Sequence, residues 1–260
     1  MSNPEALFEI IGPIARLTFN RPATRNALTW AMYDALVSAC AAADSTPDIR
    51  ALVIRGAGDA FAAGTDIRQF TEFRSGEDGI AYEKRLDAVI DRLERVTVPT
   101  IAQVHGVAAG GGCVIALACD LRVCTPDARF GVPIARTLGN CLSAANCARL
   151  VDAIGSARAN DLLFTGRLVD VAEADSMGLV ARIAEPASID RAVEDLVATI
   201  SANAPLTIHA AKAMMHRLAS DRRLTVGQDA ELIALCYGSA DFREGITAFL
   251  EKRRPRFTGQ

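Results

Sequence analysis

Aromatic residues are scarce in this sequence, and neither sign of charge dominates. Phenylalanine, tryptophan and tyrosine make up 5% of the 260 residues, and 28 basic residues nearly balance 31 acidic ones, which leaves a net charge of −3. Proteins that bind nucleic acid usually present a basic surface, often with aromatic side chains on which bases stack. The composition therefore argues against nucleic acid or an anionic membrane as a partner and favours a small molecule.

Signals for export, membrane insertion and disulfide formation are also missing. The N-terminus has no basic segment leading into an apolar stretch, so no secretory signal is predicted. Residues 101–119 are uncharged and long enough to span a bilayer, but their four glycines, with Gln103 and His105, favour a buried strand, turn and helix. The seven cysteines form no Cys-x-x-Cys pair, which predicts free thiols in a reducing, cytoplasmic compartment.

The histidines offer no evident metal site. His209 and His216 lie seven residues apart on one face of a predicted helix, but no carboxylate or thiol joins them at ligand spacing. We therefore expect no bound metal.

Short buried strands alternate with helices in the first part of the chain, which is typical of a parallel-sheet α/β core. From residue 143 onward the pattern is mostly helical. The predicted strands span 8–11, 14–19, 51–54, 101–105, 121–124, 129–130 and 179–183, the first two forming a hairpin. The predicted helices span 30–43, 79–95, 111–118, 143–154, 156–164, 189–201, 206–220, 225–237 and 241–254. Asn203-Ala204-Pro205 marks a boundary between a core at 1–202 and a helical region at 203–260.

A glycine-rich run, Gly106 to Gly112, stands between a predicted strand and a predicted helix. Free N–H groups at a helix start favour negative charge. The spacing fits neither the dinucleotide fingerprint nor the phosphate loop, because Cys113 stands where the latter has lysine. By pattern alone, these glycines could equally serve only to pack a helix against a strand.

A second glycine-containing loop, at residues 61–67, changes this balance. A turn there could aim one N–H at the same point as the first loop, forming a two-donor oxyanion hole. Two donors suit a thioester carbonyl oxygen that becomes an enolate oxygen.

Short motifs follow one another over nearly the whole chain. They are Arg21-Pro22, Arg25-Asn26-Ala27-Leu28, Phe61 to Ile67, Pro99-Thr100-Ile101-Ala102 leading to Gly106 and to Gly110 through Cys113, Cys119-Asp120, Phe130-Gly131-Val132-Pro133, and the C-terminal Asp241, Glu244-Gly245, Ala248 through Arg253 and Phe257. Each motif is weak alone. Their order and spacing together resemble those of the crotonase superfamily, the enoyl-CoA hydratase/isomerase family of acyl-CoA enzymes.

The resemblance implies an α/β fold built as a spiral of ββα units, with C-terminal helices that assemble trimers, often stacked as hexamers. It implies an acyl-CoA substrate, with coenzyme A as part of that substrate, and no metal or redox cofactor. Thr65 and Gly111 match the positions of the two oxyanion N–H groups, a role for which their side chains matter little.

The resemblance also assigns substrate-binding positions. Arg25, Arg68 and Lys252 match cations near the CoA phosphates, although each could instead be a solvated surface charge. The other positions are Ala27, Ala63, Gly64, Asp66 and Ile67, with Ala109, Gly110, Val114, Pro133, Ile134 and Arg136.

Two positions depart from the hydratase pattern. Val114 and Ile134 stand where hydratases of this family carry the two glutamates that hold water and transfer protons. Neither side chain can do so, and hydration is therefore not implied.

Other polar residues leave the chemistry open. Cys141 lies near where some family members have an acidic residue, and could act as a nucleophile or acid, although an inert buried thiol is the commoner case. Arg136 could meet a substrate carboxylate or form a surface ion pair. Thr137 and Asn140 are further candidates, and His105 suits a structural role in its turn.

Three hypotheses follow. The favoured one is an enolate reaction other than hydration: isomerisation, decarboxylation, thioester hydrolysis or another reaction through an enolate. The others are a hydratase with an unidentified acid and base, and a catalytically silent acyl-CoA-binding protein. RNA binding, which has a precedent in the family, is disfavoured by the acidic balance and sparse aromatics.

Overall fold

A computed structural model describes residues 4–220 and 227–260. The strands are β1 (Ala6–Ile11), β2 (Ile14–Phe19), β3 (Ala51–Gly56), β4 (Thr100–Val104), β5 (Val107–Ala109), β6 (Leu121–Cys124), β7 (Arg129–Gly131), β8 (Val169–Asp170) and β9 (Arg182–Ile183). They form a six-stranded sheet of order β1-β2-β3-β4-β6-β9 and a three-stranded sheet of order β5-β7-β8.

The large sheet is parallel except at one edge. β1 and β2 pair antiparallel from Ala6↔Phe19 to Ile11↔Ile14, which confirms the predicted hairpin. Every later pair in this sheet is parallel. All of β2 and most of β3 are buried, as expected of strands in a sheet covered on both faces. The predicted parallel α/β core is therefore confirmed.

The helices account for most of the remaining chain. They are α1 (Trp30–Ser45), α2 (Gly76–Glu94), α3 (Gly111–Ala118), α4 (Ile134–Thr137), α5 (Ala144–Ile154), α6 (Ser156–Thr165), α7 (Val171–Ser176), α8 (Ile189–Ser201), α9 (Pro205–Ser220), α10 (Ala230–Tyr237) and α11 (Ala240–Leu250). Thr29 caps α1 as predicted, because its side chain accepts the Met32 N–H. The start of the helix predicted over 225–237 lies outside the described residues.

Successive turns of the chain place one strand in the large sheet and the next in the small one. β4 is followed by β5 and α3, and β6 is followed by β7 and a group of helices. After β3, Ala62 forms a single parallel bridge with Ala108 of β5 before the chain enters α2. These repeats confirm the expected spiral of ββα units.

Several predicted boundaries are wrong. β5 lies inside the run predicted as a glycine turn, because its pairing with the distant β7 makes it a strand. The strand predicted over 179–183 shrinks to the two residues of β9, and β8 and α7 were not predicted. The helix predicted over 241–254 ends at Leu250, since Lys252 has a φ of 55°, which an α-helix cannot accommodate.

The C-terminal helices differ in how they contact the core. Tyr237 of α10 and Phe242 of α11 pack against Phe70 and Tyr82 in one aromatic cluster. α9, by contrast, contains no buried residue. The division at residues 202 and 203 stays a prediction. No helix in the described part of the chain is both long and apolar enough to cross a membrane.

Candidate active site

The two glycine-containing loops lie side by side. The Ala62 N–H donates to the Val107 carbonyl at 3.1 Å, and the Ala109 N–H donates to the Ala62 carbonyl at 3.0 Å. A Cβ added to Gly64 would lie 3.2 Å from the Ala109 carbonyl oxygen. Gly64 and Gly110 both have positive φ, 109° and 50°, which glycine adopts without strain. The tertiary structure thus brings Thr65 and Gly111 together.

Both candidate oxyanion N–H groups are available. Around Thr65, Leu28 N–H donates to Gly64 and Asp66 N–H donates to Leu28. Gly111 is the first residue of α3, where backbone N–H groups have no partner within the helix. Among the residues that the structure describes, neither the Thr65 nor the Gly111 N–H donates a hydrogen bond. Both residues are partly exposed.

Asn26 supports the segment that leads into the loop at residues 61–67. It is fully buried, and its amide donates to the Ala57 and Ala60 carbonyls at 2.9 and 2.7 Å. Its side-chain oxygen accepts the Arg21 N–H at 2.8 Å. These bonds hold the segment that leads from β3 to Thr65, which explains the asparagine in the Arg25-Asn26-Ala27-Leu28 motif.

Two tyrosines that the sequence analysis missed stand behind the loops. The Tyr33 hydroxyl lies 2.9 Å from Thr65 Oγ1, which in turn lies 2.7 Å from the Tyr82 hydroxyl. A Cβ on Gly111 would lie 2.6 Å from Tyr33 Oη and 3.2 Å from Thr65 Oγ1. Burial raises the pKa of both tyrosines well above the usual range, so both hydroxyls stay protonated. We call Tyr33, Thr65 and Tyr82 the hydroxyl triad.

Val114 and Ile134, the two positions that depart from the hydratase pattern, have apolar surroundings in the structure. Val114 on α3 is 2% exposed, and Ile134 at the start of α4 is half-buried against the same hydrophobic core. Because an isolated charge is costly in such surroundings, a neutral group is favoured there.

The predicted CoA-binding cations differ in their contacts. Arg25 is exposed, and its carbonyl accepts the Ala63 N–H at 2.9 Å. Arg68 is exposed but forms a two-pronged contact with Asp66, at 3.0 and 2.7 Å. That contact, with Arg21, lowers the pKa of Asp66 to about 2. Lys252 is also exposed and follows the end of α11.

The remaining predicted substrate positions differ in how far they are exposed. Ala63 is exposed, and Ala27, Ile67, Gly110 and Pro133 are partly exposed. Gly64 and Ala109 are buried within the pair of loops.

Cys141 is not activated in this structure. Its thiol points to the Leu232 carbonyl at 3.9 Å and interacts with Cys236. The Cys236 contact, followed by burial, raises the pKa of Cys141. A thiol that stays protonated is a poor nucleophile, and the geometry therefore favours the inert interpretation.

The other polar candidates differ in their contacts. Arg136 is exposed, with its Cβ against Gly166 at the end of α6. His105 Nε2 lies 2.9 Å from the Gly58 carbonyl, which supports the structural role expected for it. Thr137 Oγ1 donates to the Pro133 carbonyl within α4.

A buried carboxyl on α2 was also missed. Glu83 is 2% exposed, and its oxygens accept the Tyr237 hydroxyl at 2.5 Å and the Ser143 N–H at 3.2 Å. Asn140 donates to the same tyrosine at 3.0 Å. Burial raises the pKa of Glu83 to about 8, which leaves it largely protonated at neutral pH. No local pattern marks Glu83, because its partners come from distant helices.

One group of neighbouring side chains consists of residue types that can bind a metal ion. Asp91, Glu94 and His216 place one ligand atom each within 4.8 Å of one another. No carboxylate lies near His216 at ligand spacing in the sequence, but Asp91 and Glu94 of α2 lie near it in the structure. Both carboxylates already pair with arginine, Glu94 with Arg149 at 2.8 Å and Asp91 with Arg95 at 3.0 Å. The arrangement is that of an ion-pair network.

Comparison with known proteins agrees with this architecture. The sequence model of the enoyl-CoA hydratase/isomerase family matches residues 9–260. A probable enoyl-CoA hydratase (echA8) of Mycobacterium bovis is 36% identical over 244 residues, 93% of each chain. A solved enoyl-CoA hydratase/carnithine racemase from Magnetospirillum magneticum is 32% identical, with a TM-score of 0.80, over 100% of this chain and 97% of that one.

A second solved relative carries a different name. A methylmalonyl-CoA decarboxylase in complex with 2-nitronate-propionyl-CoA is 25% identical, with a TM-score of 0.89, over 100% of both chains. The family match covers almost the entire sequence, and the fold and the paired glycine loops are those expected from the motifs. The chain therefore belongs to the enoyl-CoA hydratase/isomerase family of enzymes.

Proposed function

We propose that the protein decarboxylates an acyl-CoA whose carboxylate is attached to the α-carbon, and that it stabilises the resulting thioester enolate with the N–H groups of Thr65 and Gly111. Two observations carry this proposal: among the described residues the Thr65 and Gly111 N–H groups donate no hydrogen bond, and Val114 and Ile134 are apolar and pack in the same hydrophobic core. The substrate binds as its CoA thioester, and no metal takes part.

Decarboxylation suits these residues because it needs no base to form the enolate. When carbon dioxide leaves, its bonding electron pair remains on the α-carbon and spreads onto the thioester oxygen, where the two N–H groups stabilise the charge. Apolar walls favour neutral carbon dioxide over the carboxylate. A proton must then reach the α-carbon, and the protonated hydroxyls of the triad lie next to the oxyanion hole.

Hydration places other demands on a site. Water must be deprotonated and a proton must be delivered to the substrate, and Val114 and Ile134 do neither. Overall similarity to hydratases describes the scaffold, whereas the reaction depends on the side chains that contact the substrate. The solved methylmalonyl-CoA decarboxylase is a relative with the activity proposed here.

The experiment compares three thioesters: malonyl-CoA, methylmalonyl-CoA and crotonyl-CoA. We expect release of carbon dioxide from one or both malonyl-type esters and no hydration of crotonyl-CoA. Incubation of product thioesters in deuterated buffer serves as a second measurement, because exchange at the α-carbon reports enolate formation. Hydration of crotonyl-CoA at a rate typical of hydratases, without decarboxylation, contradicts the proposal. Binding without turnover or exchange identifies a catalytically silent protein.

A second candidate function is double-bond isomerisation, which requires one acid-base residue. The observation in its favour is Glu83, a buried carboxyl next in the chain to Tyr82 of the hydroxyl triad, whose pKa burial raises to about 8. Isomerisation of a 3-enoyl-CoA that is lost in Glu83→Gln would favour this candidate over decarboxylation, which does not need Glu83.

Arg25 and Arg68 are proposed to contact the CoA phosphates, near a nucleotide framed by Ala27, Ala63 and Ile67. Both cations are exposed. Arg25 precedes the loop at residues 61–67 that carries Thr65, and Arg68 directly follows it. Asp66 contributes through Arg68 and does not itself contact the phosphates, because its carboxylate forms ion pairs with Arg68 and Arg21. Lys252 is proposed as a third phosphate contact.

A homotrimer, alone or stacked as a hexamer, is proposed through the region 203–260. Leu206, Met215 and Leu218 on α9 are 81, 70 and 62% exposed, and Leu235 on α10 is 70% exposed. Exposed apolar surface of this extent is typical of a protein interface. We expect sedimentation velocity to show three or six copies, and expect Leu206→Asp with Leu218→Asp to shift the protein towards monomer. A monomeric wild-type protein contradicts this assembly.

A further inference from the structure

The Thr65 side chain occupies a position between the oxyanion hole and two buried phenols. Thr65 is partly exposed, whereas Tyr33 is completely buried and Tyr82 is 7% exposed. Thr65 Oγ1 contacts both phenol oxygens, at 2.9 and 2.7 Å, and lies 3.2 Å from the position of a Cβ on Gly111. Thr65 Oγ1 therefore lies between the two phenols and the turn that carries the Gly111 N–H.

We propose that the Thr65 hydroxyl delivers the proton that the enolate takes up at its α-carbon, and that Tyr33 and Tyr82 position this hydroxyl and replace its proton. The inference rests on the proposed function, since it needs an enolate at the hole. It also revises the expectation from sequence that the Thr65 side chain matters little.

The proton transfer is balanced within the triad and solvent. The Thr65 O–H bond breaks as the α-carbon–hydrogen bond forms, and a phenol O–H passes its proton to Thr65 Oγ1. The phenolate that remains recovers its proton from Thr65 Oγ1, which in turn takes one from water once the product leaves. The net change is uptake of one proton, which the loss of carbon dioxide from a carboxylate requires.

The alternative role for the triad is simple packing, and the environment of the three oxygens argues against it. A threonine hydroxyl can donate one hydrogen bond and accept two, so with both phenols donating to Thr65 Oγ1 its own O–H remains available to a ligand. The third tyrosine of the chain, Tyr237, satisfies its hydroxyl with Glu83 and Asn140 instead. Tyr237 therefore provides a matched control for removal of a buried phenol oxygen.

The test uses full-length protein with methylmalonyl-CoA in deuterated buffer. Thr65→Val keeps the shape of the side chain and the backbone N–H but removes the hydroxyl. We expect kcat to fall about 10²-fold or more with KM nearly unchanged, as is typical when a proton donor is lost. Thr65→Ser, which restores a hydroxyl, should recover most of the rate. Tyr33→Phe and Tyr82→Phe should each lower kcat by roughly tenfold, and Tyr237→Phe should leave it within a factor of about two.

The stereochemistry of the product gives a measurement that packing would not change. The wild-type enzyme should place deuterium on one face of the α-carbon of propionyl-CoA, whereas Thr65→Val, in which water must supply the proton, should give both enantiomers. Unchanged kcat and unchanged stereochemistry in Thr65→Val and Tyr33→Phe, with melting temperatures near wild type, overturn the proposal.

Failure of the proposed function is distinguishable from failure of the triad. If the wild-type enzyme exchanges α-hydrogens without decarboxylating any ester, the proposed reaction fails, and slower exchange in Thr65→Val still supports the triad. If exchange is equally fast in Thr65→Val, the triad fails alone. A wild-type protein that neither decarboxylates nor exchanges overturns both.

Discussion

Replacement of Gly111 by alanine should lower kcat/KM for the acyl-CoA substrate by about 10²-fold or more, the range seen when one oxyanion donor is lost. A Cβ at this position lies 2.6 Å from the Tyr33 hydroxyl, too close for two unbonded atoms. Tyr33 is completely buried and cannot withdraw, so the turn or Thr65 must move instead. Steady-state kinetics with malonyl-CoA or methylmalonyl-CoA, whichever the wild-type protein decarboxylates, measures the effect.

A double variant separates this steric effect from general damage. In Gly111→Ala with Tyr33→Phe the clashing oxygen is absent, so the combined loss should be smaller than the product of the two single losses. Affinity for a CoA ester should change little, because Arg25 and Arg68 are untouched. If Gly111→Ala keeps more than half of the wild-type activity, no reacting group lies at this turn.

Asn26→Ala should lower the free energy of unfolding by about 3 kcal/mol, because it leaves three backbone groups, one buried and two partly buried, without their partner. The groups are the Arg21 N–H and the carbonyls of Ala57 and Ala60. Activity should fall as well, since the loop that leads to Thr65 loses its support. Urea unfolding and the decarboxylation assay measure the two effects.

Asn26→Gly is the matched control for backbone conformation. Asn26 has a φ of 55°, which glycine tolerates and alanine does not. The glycine variant loses the same hydrogen bonds but should be roughly 1 kcal/mol more stable than the alanine variant. Equal stability of the two variants would mean that backbone strain contributes nothing, and wild-type stability in both would mean that Asn26 does not hold the loop.

Much of the fold was predictable because it depends on local pattern. α3 and α8 have the bounds predicted from periodicity, and β2 and β6 those predicted from short apolar runs bounded by turn residues. β5 and β8 were missed because they contain three and two residues and become strands only by pairing with β7. The left-handed Lys252 that ends the C-terminal helix likewise has no strong local signal.

The residues of the candidate site were predictable to a similar extent. An oxyanion hole made from backbone N–H groups requires particular loop conformations, and glycines at fixed spacing reveal these in the sequence. Val114 and Ile134 were readable for the same reason, since each follows such a motif. The triad was not readable, because Tyr33 comes from α1 and Tyr82 from α2, and neither belongs to a motif.

The sequence by itself determined the family, the α/β spiral, the two loops that meet at Thr65 and Gly111, and the apolar residues Val114 and Ile134. These properties follow from short-range patterns and from motif order. Only the tertiary structure decided the side-chain contacts: it placed two phenols against Thr65, directed Cys141 towards Cys236, and buried Glu83 against Tyr237. The physical reason is that such contacts arise from packing between helices far apart in the chain, whose relative positions no local pattern encodes.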